Sequence, residues 1–496
     1  MRYPVMLLAL AVSPLVAQAC TLNFTSPHDG ATTRTAGVTI FGQGGASAEF
    51  GNLGTVTATL NGATFYNYSG SFTAAVTFLE TRGVPVTLRP GINVLTVTGS
   101  VGACSASDSM TIMYDPEVTL SKNKGTPPPK TCTANPINLA VGNKFQRETD
   151  FSSLSSPLLT FDRIYNSLDG YWRHSLSTRL EITSTAIRLI DFDGRETIFS
   201  RSGSNVITPD DEFGVLEADG AGWRYISTSQ AIYLFDSQGR MLSQQDSNGR
   251  SMSLVYSTTG IVVTSDTGES LTFTQDSKLQ PLILSTAGVS VTYTYDTQGR
   301  LQSTSKTVGG STVSRDFHYE NATYPRFLTG ITDENGDRYV TWTYDQFGRA
   351  TSSSRAGGLE TTTIAYNADG TSTVTNPLGK SATYHFSVVQ GVKKIVAIDG
   401  EASANCPSSN SSYEYNAEGL LTKSIDNKGN LITYDYNSRG LEVSRTEASG
   451  TPQARTIATN WHPDWFLPVT VTEPDRITEY TYDNQGRQTS QSVTQR

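Results

Sequence analysis

Apolar and polar residues alternate with a period of two through most of this chain, in short runs broken by Gly, Asn, Asp or Pro. Val38-Thr39-Ile40, Val56-Thr57-Ala58-Thr59-Leu60 and Val94-Leu95-Thr96-Val97 are early examples. A period of two sends successive side chains to opposite faces of a strand, so the pattern predicts an all-β chain. Short strands at this spacing over residues 20–115 predict a two-sheet sandwich. Residues 116–134 break the alternation. Pro127-Pro128-Pro129 cannot donate to a ladder, and the stretch reads as an extended linker.

Further on, the alternation acquires a longer repeat. Tyr295-Asp296-Thr297-Gln298-Gly299-Arg300, Tyr344-Asp345-Gln346-Phe347-Gly348-Arg349 and Tyr482-Asp483-Asn484-Gln485-Gly486-Arg487 are three copies. Phe235 to Arg240, Tyr415 to Leu420 and Tyr436 to Leu441 are variants. In each D-x-x-G the Asp or Asn side chain can bond the turn backbone, and the Gly can take a positive φ without steric cost. Every copy therefore predicts a chain reversal, with Asp296, Gly299, Asp345, Gly348, Asp483 and Gly486 as turn residues. The pairs Tyr293/Tyr295, Trp342/Tyr344, Tyr413/Tyr415, Tyr434/Tyr436 and Tyr480/Tyr482 put two aromatic rings on one strand face. A row of such hairpins can bury a continuous stripe, which one hairpin cannot do.

Composition narrows the chemistry. The 496 residues carry a formal net charge of −9 with no basic run, which argues against a nucleic-acid partner. Arg2, the apolar Met6 to Val16 and Ala17-Gln18-Ala19 read as a cleavable export signal over residues 1–19. The apolar part is too short for a membrane span. Cleavage after Ala19 would make Cys20 the first mature residue, a position that also fits lipid attachment, although the preceding residues match a lipid signal only loosely. The four cysteines are Cys20, Cys104, Cys132 and Cys406. In an exported chain disulfides are their default state. Five histidines show no metal-ligand spacing, and no nucleophile elbow is present. Most carboxylates belong to D-x-x-G turns. Asp210-Asp211-Glu212 reads as a solvated loop, and Asp333 to Asp337 lacks the ligand set of a calcium loop. No catalytic residue, cofactor or metal is expected.

Two resemblances extend this reading. Ser26-Pro27, Val38 to Gly42, Leu60-Asn61-Gly62, Gly91-Ile92-Asn93 and Asp108 to Tyr114 resemble bacterial immunoglobulin-like modules. Such a topology would bring the start of the first strand near the loop before the last, and so implies a Cys20–Cys104 disulfide. Elimination leaves Cys132 with Cys406. Asn135 to Phe145, Glu148-Thr149-Asp150, Phe161 to Ser167 and Gly170 to Ser175, followed by the Y-D-x-x-G-R copies, resemble RHS-family proteins with YD repeats. Neither the self-cleaving core segment of many such proteins nor a toxic tail is evident. The resemblance implies an opening domain at 135–190 and a repeat sheet at 191–496 that curves toward a partial shell. It implies an exported, non-enzymatic scaffold, the front portion of a larger shell-forming or cell-contact protein. Its partners would be cell-surface carbohydrate or a polypeptide enclosed by the shell. The competing expectation is a cell-wall protein that binds carbohydrate on its aromatic strand faces.

Overall fold

A computed structural model describes residues 20–27, 31–33, 36–46, 53–71, 83–89, 91–102, 104–114, 118–128, 130, 133, 135–203, 205–401 and 409–496. The expected signal at 1–19 and the pair Cys132–Cys406 lie outside them. The chain forms two compact units, 1–116 and 117–496. Among the described residues helical turns occur only at Leu120–Asn123 and Ala356–Gly358; the rest of the regular structure is β.

In the first unit, strands Cys20–Ser26, Gly37–Ala46 and Val84–Thr87 form one sheet. Ala31–Thr33, Cys104–Tyr114, Gly91–Val101, Leu53–Leu60 and Ala63–Ser71 form the other. Leu22, Ile40 and Val86 from the first meet Val56, Ala58, Leu95, Val97 and Ile112 from the second in one core. Alternate residues of each strand supply this layer, as the period of two requires.

The second unit carries a 26-stranded sheet from Val215–Asp219 to Gln488–Gln495, in which every strand pairs with its sequence neighbours. All the ladders are antiparallel hairpins, because each turn reverses the chain after a few residues. The sheet curves far enough for its last hairpins to touch its first strands. The Phe466 amide donates to buried Gln230 Oε1 at 2.7 Å, and Gly440 lies against the Phe213 ring. No ladder among the described residues joins the two ends, so side chains alone make that seam.

Two boundaries differ from the expectation. The continuous sheet begins at Val215, because Arg179–Ile182, Ala186–Ile190, Glu196–Ser202 and Asn205–Ile207 form a four-stranded sheet of their own. Residues 118–128, read as linker, are bonded into the second unit. The Thr119 amide donates to Gly391 O at 2.8 Å, and the Gly125 amide to Asn166 Oδ1 at 2.9 Å. Pro-rich composition removed ladder donors from this stretch but left its flanks free to bond elsewhere.

Candidate functional site: the repeat turns and the docked opening domain

The turn at Asp296 shows how the repeat works. Asp296 Oδ1 accepts the amides of Gln298 and Arg300, both at 2.9 Å, and Oδ2 accepts Arg300 Nε at 2.5 Å. Gly299 donates its amide to Asp296 O and takes φ +72°. Asp345 and Asp483 make the same set with Phe347 and Arg349, and with Gln485 and Arg487. Gly348 and Gly486 have φ +75° and +79°. Burial alone would raise the Asp296 carboxyl. The Arg300 and Gln298 amides and the Arg300 guanidinium outweigh it and hold the group below its ordinary value.

The tyrosine of the repeat ties one hairpin to the one before it. The hydroxyl of Tyr295 donates to Pro281 O at 2.8 Å, that of Tyr344 to Leu328 O at 2.7 Å and that of Tyr366 to Ala350 O at 2.7 Å. Tyr436 and Tyr482 do the same to Leu421 O and Pro468 O, each at 2.7 Å. The arginine points forward: Arg240 lies 4.9 Å over the Tyr256 ring and Arg349 4.3 Å over Tyr366. The Y-D-x-x-G-R of Tyr344 thus closes its own turn with Asp345 and Gly348, anchors backward with Tyr344, and covers the next tyrosine with Arg349.

The opening domain docks on this sheet. Its strands Phe145–Ser152, Thr160–Asn166 and Tyr171–His174 form a three-stranded sheet. Phe161, Tyr165 and Trp172 share one core with Phe273, Val291, Tyr293, Phe317, Val340 and Trp342 of the repeats. Here the stripe of the repeat sheet is buried by the domain that precedes it.

Polar groups fix the docking register. Buried Arg163 pairs with Asp150 through Nε at 2.7 Å and Nη2 at 3.1 Å, and lies against the rings of Trp172, Tyr293 and Phe317. Burial disfavours the guanidinium, but Asp150 outweighs it, so the arginine stays charged. The Tyr293 hydroxyl donates to Asp150 Oδ2 at 2.8 Å. Gln146 and Glu148 alternate along the same strand, and Lys144 stands one residue before it. Lys144 Nζ donates to Gln146 Oε1 at 2.7 Å, Gln146 Nε2 to Glu148 Oε1 at 2.6 Å, and Arg315 of the sheet to Glu148 Oε2 at 2.7 Å. Burial pushes Lys144 well below an ordinary lysine, and its Nζ sits 4.2 Å over the Trp342 ring. The Tyr165 hydroxyl donates to Arg326 O and accepts the Leu328 amide. His174 stacks on Phe161, meets Phe273 edge-on and bonds Gln275; burial lowers it to about 4.

Sequence reasoning missed this interface. Lys144, Gln146, Glu148 and Asp150 at successive i+2 positions were its one legible signal, since a strand face so polar must meet partners if it is buried. The loop at 210–212 needs correction: it is engaged in bonds, and not merely solvated. Asp211 pairs with Lys122 at 2.6 Å, and Glu212 accepts the Tyr225 hydroxyl at 3.2 Å and the Gly214 amide at 2.5 Å. Glu212 and Asp191 line a cavity of about 250 Å³ with Tyr225 and Tyr233. Burial, and then Asp193, raise the Asp191 carboxyl to about 6. Asp333 caps its own turn through the Asn335 and Asp337 amides, and no metal-holding group of side chains occurs among the described residues. No helix among them is long and apolar enough to cross a membrane.

Two families match the chain. The domain of unknown function DUF6531 covers residues 134–199, and the Teneurin YD-shell covers 334–458. No curated protein matches. Solved structures that align include that of TcdB2-TccC3, at 12% identity and TM-score 0.31, over 86% of this chain and 25% of that one. A porin-like protein from Bacteroides uniformis aligns at 11% identity and TM-score 0.13, over 56% of this chain and 92% of that one. A quinonprotein alcohol dehydrogenase-like protein from Bacteroides thetaiotaomicron aligns at 10% identity and TM-score 0.14, over 93% and 97%. This chain spans a quarter of the length of the first.

Proposed function

Because this chain is an RHS/YD-repeat protein built as a repeat-sheet scaffold, we propose that it is exported, non-enzymatic, and the front portion of a larger shell-forming or cell-contact assembly. The observation that carries the reading is the single core shared by the opening domain and the repeat sheet. It commits both to structure and leaves their polar side chains engaged with one another. The repeat tyrosines support the same reading against the carbohydrate alternative. Tyr295, Tyr344, Tyr366, Tyr436 and Tyr482, and Tyr256 beside them, donate their hydroxyls to backbone carbonyls, and Arg240 and Arg349 cover two of the rings. A ring so engaged is a poor stacking platform for a sugar.

Export is tested by fractionating a bacterium that expresses the full chain with and without residues 1–19. Processed protein outside the cytoplasm is expected only with them, and retention of both forms inside refutes export. The non-enzymatic part is tested on polysaccharide and peptide substrates. Turnover that disappears in Asp191→Asn or Glu212→Gln overturns it.

The first unit is proposed to be an immunoglobulin-like module closed by Cys20–Cys104. Both cysteines begin strands, and Cys104 is buried. The Phe24 amide donates to Asp108 Oδ2 at 2.8 Å across a separation of 84 residues, the separation that also relates Cys20 to Cys104. That bond holds the first strand against the last, which supports a link between their two opening cysteines. Non-reducing peptide mapping should recover them linked, and an unlinked or lipid-modified Cys20 refutes the bond.

A further inference from the structure

A cavity of about 320 Å³ in the second unit lies where five parts of the chain meet. Residues 122–128, the hairpin tip at 195–197, the loop at 211–213 and the hairpin ends at 389–394 and 418–420 line it. Several cations face it, and most are matched. Lys122 pairs with Asp211 at 2.6 Å, Lys124 with Glu196 at 3.1 Å and Asp169 at 3.3 Å, and Arg195 with Asp193 at 3.6 Å.

Lys394 differs. Among the described residues its ammonium makes no ion pair and no hydrogen bond. Its ammonium lies 5.4 Å from the centre of the Tyr415 ring. Its stem passes close over Gly419, where an added Cβ would stand 2.8 Å from Lys394 Cε. Gly419 has φ +83° and closes the neighbouring turn, so the turn residue and the seat of the lysine are the same. Burial lowers the Lys394 ammonium, Asp211 opposes this, and Arg195 adds to it. Asp211 is taken up by Lys122, so this half-buried cation has no carboxylate of its own within ion-pair distance among the described residues.

We propose that this cavity binds an oxyanion, a phosphate or carboxylate group of a small molecule, directly against Lys394. A lysine ammonium is a point charge suited to an oxyanion, and Arg195 beside it can share the same group. The volume lies at the lower end of the range of ligand pockets, room for more than a bare ion. Exposed Glu418 at the rim works against an anion. The site goes beyond the scaffold role and does not depend on export.

The test is titration of the full chain with inorganic phosphate and, separately, with citrate at constant ionic strength, followed calorimetrically. Saturable binding of one or both is expected, and which one binds assigns the class. Lys394→Met should weaken it about tenfold or more. Glu418→Gln changes only an exposed side chain, should fold normally, and should strengthen it. Lys428→Met, at an exposed turn, should leave it unchanged. Absence of saturation with both anions overturns the proposal. So does a Glu418→Gln protein that binds no better than the parent, or binding that Lys394→Met leaves intact.

Discussion

Replacing Gly348 with valine tests the turn geometry and the packing of the repeat together. The residue has φ +75°, a conformation in which a β-branched side chain is strained. The backbone term alone is about 1–2 kcal/mol. A Cβ at Gly348 would also stand 3.0 Å from Phe327 Cε2 and 3.2 Å from Tyr324 Cε1. Those rings are stacked on each other with centroids 4.6 Å apart, so neither can yield without breaking the stack. Overpacking of this kind adds roughly 1–3 kcal/mol. Gly299 is the internal control. Its φ is +72°, but the nearest atom to an added Cβ is Gln280 Nε2 at 3.8 Å, so only the backbone term applies. Gly348→Val should therefore cost more than Gly299→Val by about 1 kcal/mol or more. A sheet of many strands need not unfold in one step, so the readout is native-state hydrogen exchange at the amides of 340–355 and 291–306. Equal protection in both variants, or a larger loss at Gly299, refutes the assignment of the excess to the Tyr324–Phe327 stack.

Asp150→Ala should destabilise the second unit by about 3–5 kcal/mol in chemical denaturation, since it leaves Arg163 buried without its partner; a loss under 1 kcal/mol contradicts the pairing. His174 is neutral in its buried site, with a folded value of about 4 against 6.5 in the unfolded chain. Its contribution is complete above pH 6.5 and is lost as pH falls toward 4, because only the unfolded state takes up the proton in that window. The loss is roughly 3 kcal/mol, and a His174→Gln protein should show a shallower decline in denaturation midpoint than the parent between pH 7 and 4.5. Tyr344→Phe should cost about 1 kcal/mol for the lost bond to Leu328 O, read as faster exchange in the hairpin around 328–344; unchanged exchange would show that the hydroxyl contributes nothing.

What could be read from the sequence was local. Period-two alternation fixes the face of each side chain whatever surrounds it, and D-x-x-G reverses the chain because a short acceptor and a residue at positive φ suffice. The β class and the hairpin repeat around Asp296, Asp345 and Asp483 follow from residues within six positions of one another. The partner of the repeat sheet does not. Lys144, Glu148 and Asp150 meet Trp342, Arg315 and Tyr293 only because the sheet curves beneath the opening domain, and curvature accumulates from small twists over many strands. For the same reason the sequence showed residues 118–128 as a linker, when their amides and side chains meet Asn166, Asp193 and Gly391. Strand, turn and face were decided by short-range sterics and hydrogen bonding. The docking of the opening domain, the seam at Gln230 and Phe466, and the unmatched charge of Lys394 were decided by which distant groups the completed sheet brings together.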